Sequence, residues 1–106
     1  MSPDPRLRQE ALERIWDAFE RLKTIEPGAD KKASVEALLR RAIAEPNLRE
    51  NVNDDMTDLT WIGNRFMIRH TETDKIPVGE SDHVDYLFHR MFAVIRLLLR
   101  ATNRGG

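Results

Sequence analysis

The chain contains no cysteine, which removes disulfides and thiolate metal sites and fits a reducing cytoplasm. It also lacks an excess of charge of either sign. The net charge is −1, so no overall basic field draws the molecule onto DNA or an anionic membrane, and any contact with nucleic acid has to be local. No apolar run approaches the roughly eighteen residues that a membrane span needs. The N-terminal lead, Met1-Ser-Pro-Asp-Pro-Arg6, is not the apolar core of a signal peptide. No segment keeps the alternation of a half-buried strand, and there is no internal repeat or low-complexity tract among the 106 residues. These absences leave a cytoplasmic, all-α domain spanning 1-106, with no membrane partner and no cofactor called for. The same length suits the C-terminal domain of a longer protein.

What is present reads as four helices. Hydrophobic residues make up 41% and charged residues 33%, the balance of a soluble globular chain. Residues 4 to 25 place Leu7, Ala11, Ile15, Ala18, Leu22 and Ile25 on one face, the three-and-four spacing of an amphipathic helix. Pro27-Gly28 ends it. Asp30 is the N-cap of a second helix through Val35, Leu38, Leu39, Ala42 and Ile43, stopping near Glu45 because a residue before proline avoids helical geometry. Pro46 is the first-turn residue of a third, which runs from about Asn47 to about His70 with Leu48, Val52, Met56, Leu59, Ile62, Phe66 and His70 in line. Trp61, Gly63, Met67 and Ile68 make its second half apolar almost all round, so that half is expected to be enclosed. Gly63 costs about 1 kcal/mol relative to alanine inside a helix and marks a close approach or a bend. After a loop from Thr71 to Glu80, Ser81 or Asp82 caps a fourth helix to about Ala101, with Val84, Leu87, Phe88, Met91, Phe92, Ile95, Leu98 and Leu99 as its stripe. Short connections between them imply an up-down four-helix bundle.

The third helix carries the chemistry. Asn64 and Arg65 sit inside the apolar run Leu59 to Ile68, and Arg69-His70 follows at once. An arginine in that setting calls for an anion, because an unpaired buried cation costs several kcal/mol. Arg65 and Arg69, four apart, share a helical face and repel by a few tenths of a kcal/mol unless an anion lies between them. Arg65 and His70 stand about 140° apart on an ideal helix, so they meet only if the helix bends or unwinds near Arg69.

Two anions are candidates. If it is a carboxylate, Asp82, Asp85 or Glu80 supplies it from the fourth helix and its approach, and His70 is a cation favoured by the helix end. If it is a phosphate, RNA brings its own nucleophile in the 2′-hydroxyl. Neutral His70 then accepts that proton, Arg65 and Arg69 hold the phosphate, and Asn64 orients either group.

The stretch Ile62-Gly-Asn-Arg-Phe-Met-Ile-Arg-His70 has an arginine, four residues and a histidine near a helix end, and it resembles the HEPN superfamily of all-helical domains. With the later Asp85-Tyr-Leu-Phe-His-Arg90, it also resembles C-terminal domains of bacterial abortive-infection proteins. The resemblance covers the third and fourth helices, about half the chain. It implies a HEPN-like fold in a phage-defence or toxin-type protein, with Arg65 and His70 as the catalytic motif of a metal-independent endoribonuclease. It further implies a homodimer whose two motifs line one cleft, an RNA substrate, and an upstream domain or an antitoxin as a further partner. Two departures stand out: Phe66 rather than a polar residue follows the motif arginine, and Glu72 stands where a subgroup has tyrosine. The alternative is a non-catalytic dimerisation or partner-sensing module of a larger abortive-infection protein.

The remaining candidates are structural. His83 and His89, six apart, lack the four-residue spacing of helical zinc ligands, and Asp85 with His89 reads as a local hydrogen bond. Trp16 and Trp61 read as core or interface anchors, and Phe88 and Phe92 read as buried. Arg90, Arg96, Arg100 and Arg104 suit the negative end of the last helix.

Overall fold

A computed structural model describes residues 4–104. Met1 to Pro3, part of the N-terminal lead, and the final Gly105 and Gly106 lie outside the described residues. The described chain is mostly helical: α1 (Pro5–Leu22), α2 (Lys31–Ala42), α3 (Pro46–Arg65) and α4 (Ser81–Ala101). Between α3 and α4 two short strands, β1 (Phe66–Met67) and β2 (Ile76–Pro77), pair in parallel, with Phe66 opposite Ile76 and Met67 opposite Pro77. None of the helices is long and apolar enough to cross a membrane among the described residues.

Helix starts follow local chemistry. Asp4 accepts from the Arg6 N–H ahead of a proline in the first turn of α1, and Asp30 accepts from the Ala33 N–H at 2.8 Å. Glu45 accepts from Leu48 N–H at 2.6 Å, and Pro46 opens α3 where its missing N–H is not needed. α4 departs from this pattern. Glu80 occupies its N-cap without a side-chain bond, so neither Ser81 nor Asp82 caps the helix, and Asp82 instead adds a favourable negative charge in the first turn.

The core draws Leu12, Trp16 and Phe19 from α1, Leu38 and Leu39 from α2, Val52, Met56 and Leu59 from α3, and Leu87, Met91 and Leu98 from α4. α1 packs mainly along α4, while α2 lies against α4 and α3. α3 meets α1 at one tight point. A Cβ on Gly63 would stand 1.9 Å from Trp16 Cη2, so the glycine is there to admit the indole of α1 rather than a neighbouring backbone.

The end of α3 is not where its periodicity puts it. The helix stops at Arg65, and Phe66 turns extended to start β1, so Ile68, Arg69 and His70 belong to a non-helical segment. Ile68 is nonetheless completely buried. The enclosed surroundings expected for the second half of α3 are also absent on one side, where Trp61 is 57% exposed. On α4, Phe88 is half-buried and packs against the edge of the core, whereas Phe92 is exposed; they stack on each other with centroids 6.0 Å apart.

Candidate active site

The segment after α3 is laid along one flank of α1. Gln9, Glu13 and Asp17 are spaced by four and therefore follow one side of that helix, beside the core stripe of Leu12, Trp16 and Phe19. Gln9 Nε2 donates to the Ile68 carbonyl at 2.7 Å. Glu13 Oε1 accepts from the His70 backbone N–H at 2.6 Å and lies 2.8 Å from His70 Nδ1. Asp17 pairs with the Arg69 guanidinium. Three successive residues are thus held by three successive turns of α1.

The loop is also tied internally. Arg69 N–H donates to Glu72 Oε1 at 2.8 Å, and Lys75 Nζ bridges Glu72 Oε2 at 2.5 Å and the Gly63 carbonyl at 3.2 Å. Burial pushes the Glu72 carboxyl up, but Lys75 and the Arg69 N–H outweigh it and hold the group below the ordinary carboxylate value. Glu72 is thus a structural anion, stationed two residues after the motif histidine.

These contacts sort the sequence candidates. Arg69 is neutralised by Asp17 of α1, not by Asp82, Asp85 or Glu80, and it does not share a face with Arg65 because the helix has ended. Asp85 faces Arg8 instead, 3.5 Å from its Nε and without hydrogen-bond geometry. Arg65 is exposed at the last turn of α3. Its guanidinium lies over the Trp61 ring, 5.1 Å from the centroid, and makes no hydrogen bond or ion pair among the described residues. Asn64 is exposed, and its side chain makes no hydrogen bond among the described residues.

His70 projects into solvent, with its side chain 77% exposed. The Glu13 carboxylate against Nδ1 assigns the proton of the neutral ring to Nδ1, which leaves Nε2 as the acceptor, with no hydrogen-bond partner among the described residues. A carboxylate that orients an imidazole and leaves its far nitrogen free is the arrangement of a general base. Arg65 and His70 hang from different supports, the end of α3 and the flank of α1, and no hydrogen bond joins them. One chain therefore presents an exposed imidazole and a guanidinium stacked on an indole as separate groups.

A feature that sequence reading passed over lies beside the end of α3. An apolar cleft of about 270 Å³ runs between α3 and α4, lined by Ile62, Phe66, Pro77, Val78, His83 and Tyr86. Tyr86 is 57% exposed, and Arg90 lies over its ring at 5.5 Å. The signal was the matching four-residue offset of Trp61 to Arg65 and of Tyr86 to Arg90, which puts each guanidinium above an aromatic one turn back. No trio of His, Asp or Glu side chains among the described residues is placed to hold a metal ion. No family model, curated protein or solved structure matches this chain.

Proposed function

We propose that the chain is a HEPN-like domain of a phage-defence or toxin-type protein and acts as a metal-independent endoribonuclease, working as a homodimer. His70 is its general base and Arg65 its phosphate-binding cation. The observation that carries this reading is the Glu13-held imidazole of His70, whose Nε2 is open to solvent. That nitrogen takes the proton of an RNA 2′-hydroxyl. The oxygen attacks the adjacent phosphorus and the bond to the 5′-oxygen breaks; that oxygen takes a proton from water, giving a 2′,3′-cyclic phosphate and a 5′-hydroxyl end, and the His70 imidazolium then returns its proton to the hydroxide left in solvent. Glu13 stabilises the imidazolium as it forms.

Arg65 suits the phosphate because no carboxylate occupies it. Arg69, paired with Asp17, becomes a fixture of the loop rather than a substrate contact. Asn64, exposed beside Arg65, is free to donate to a non-bridging oxygen. The HEPN resemblance implies that two copies bring their His70 and Arg65 side chains to one cleft.

Cleavage of single-stranded RNA in the presence of a chelator, followed on denaturing gels, tests this. His70→Ala and Arg65→Ala should abolish it while helical melting stays at the wild-type temperature. Equal cleavage by these variants, or none by the wild type, leaves the second reading, a non-catalytic partner-sensing module. That reading is favoured by the exposure of Trp61 and Tyr86 on one side of the molecule.

A further inference from the structure

Beside the cleft between α3 and α4 stand two pairs of an aromatic ring and an arginine, Trp61 with Arg65 and Tyr86 with Arg90, of which Tyr86 lines the cleft itself. Trp61 and Tyr86 are each 57% exposed, which leaves much of their apolar ring surface in water. Arg65 lies 5.1 Å from the Trp61 centroid and Arg90 lies 5.5 Å from that of Tyr86. Among the described residues, neither guanidinium has a carboxylate or any hydrogen-bond acceptor. Trp61 precedes the lining residue Ile62 by one position, about 100° round the helix, and Arg65 ends the helix just before the lining residue Phe66, so the pair stands on an outer shoulder of the cleft.

We propose that this cleft is a stacking subsite for unpaired bases of RNA, with Trp61 and Tyr86 as platforms and Arg65 and Arg90 as phosphate contacts. It rests on the RNA-directed reading of Arg65 and His70 but does not require cleavage. Three features argue for this occupant. The volume, about 270 Å³, stands at the lower edge of the roughly 300–1,000 Å³ of small-ligand pockets and suits a flat heterocycle rather than a partner helix. The rim offers unneutralised positive charge, which complements a polyanion. Aromatic faces flanked by arginine are the sequence-tolerant means by which single strands are held. The turns of α3 before Trp61 set a boundary, since Asp54, Asp55 and Asp58 are exposed there and repel phosphates. The strand is therefore confined to the Arg65 end of the groove.

A single-stranded oligouridylate of about twelve nucleotides, 2′-O-methylated throughout so that its 2′-oxygen cannot attack, separates binding from cleavage in the wild-type protein. Trp16 is buried at 3% exposure, so quenching of tryptophan emission by the oligonucleotide reports on Trp61. We expect saturable quenching, and about a tenfold weaker dissociation constant by anisotropy for Trp61→Ala and for Tyr86→Ala, the effect of losing one stacked base. Arg90→Ala should make the salt dependence shallower by about 0.7 in log–log slope. The same oligonucleotide annealed to its complement should bind at least about tenfold more weakly, because its bases are no longer free to stack.

Absence of quenching, or wild-type affinity in both aromatic variants, overturns the subsite. So does an emission change that follows protein concentration alone, which would give the cleft to a second copy of the chain. Cleavage of ordinary RNA that persists at full rate in the two aromatic variants removes this subsite and leaves the His70 reading intact. Tight binding of the methylated strand without cleavage of the ordinary one removes the nuclease reading and leaves the subsite.

Discussion

Gly63→Ala sets two familiar effects against each other, and the structure decides between them. Helix propensity alone favours alanine by about 1 kcal/mol. Against that, the new Cβ would lie 1.9, 2.3 and 2.5 Å from three atoms of the Trp16 ring, far inside van der Waals contact. The indole has little freedom to retreat, being 3% exposed and packed against Phe19 with ring centroids 5.7 Å apart. Overpacking of a core costs about 1–3 kcal/mol, and three simultaneous clashes place this site at the upper end. The net is a loss of about 2 kcal/mol, which in a domain of this size lowers the melting temperature by roughly 8–16 °C. Thermal and urea melts followed by far-ultraviolet circular dichroism measure it. Gly79→Ala is the control, because a Cβ there meets nothing within 4 Å. Trp16 also sits between Glu13 and Asp17 on α1, so forcing it away displaces both carboxylates that hold the His70 loop. Gly63→Ala should accordingly weaken RNA cleavage as well. A variant as stable as the wild type would refute the reasoning, since the ring would then have moved without cost and could not be what fixes α1 against α3.

Other outcomes follow from single contacts. Glu26 is buried, which raises its carboxyl, but Arg104 and Arg41, at 2.6 and 2.5 Å, outweigh that and hold it below the ordinary 4.5. A folded value below the unfolded one contributes stability that is complete above about 4.5 and is lost as the pH falls through the folded value. Melting temperature should drop below pH 4.5, and less steeply in Glu26→Gln. Ser34 Oγ accepts the buried Glu26 N–H at 3.1 Å, so Ser34→Ala should cost about 1–3 kcal/mol in urea unfolding. The side chains of Arg69 and Asp17 are 42% and 48% exposed, so removing that pair should cost at most about 1 kcal/mol. Arg69→Ala should also leave far more RNA cleavage than Arg65→Ala.

The parts of this molecule that were legible in the sequence are those decided within a turn or two of chain. Asp30 and Pro46 mark helix starts because a cap and a first-turn proline act on the nearest N–H groups, and the apolar stripes of α1 and α4 report faces directly. The end of α3 was not legible, because Phe66 continues the helical period and nothing near it breaks a helix. What pulls the chain out is distant: β2, ten residues on, and Gln9, Glu13 and Asp17, more than fifty residues back. The carboxylates expected for Arg69 were sought on α4, its neighbour in sequence. Periodicity says what a face contains but not which helix will meet it. The spacing of Gln9, Glu13 and Asp17 was nevertheless visible as a polar ridge beside an apolar stripe, and such a ridge implies a polar strand of chain laid along it.

The same limit explains why the motif divided as it did. Its residues were read as one helical cluster with one anion, yet the backbone turn after Arg65 gives each cation its own surroundings. Arg69 and His70 go to α1, where Asp17 pairs with the guanidinium and Glu13 orients the imidazole. Arg65 stays on α3 with only an indole beneath it. A guanidinium stacked on an exposed ring gains roughly 0.5–1 kcal/mol, less than a well-formed carboxylate pair can offer. Acidic residues are plentiful on the first half of the same helix, so the fold had carboxylates available and does not use them at Arg65 or Arg90. An arginine left without an anion beside an apolar cleft is what the proposed contact with a visiting phosphate requires.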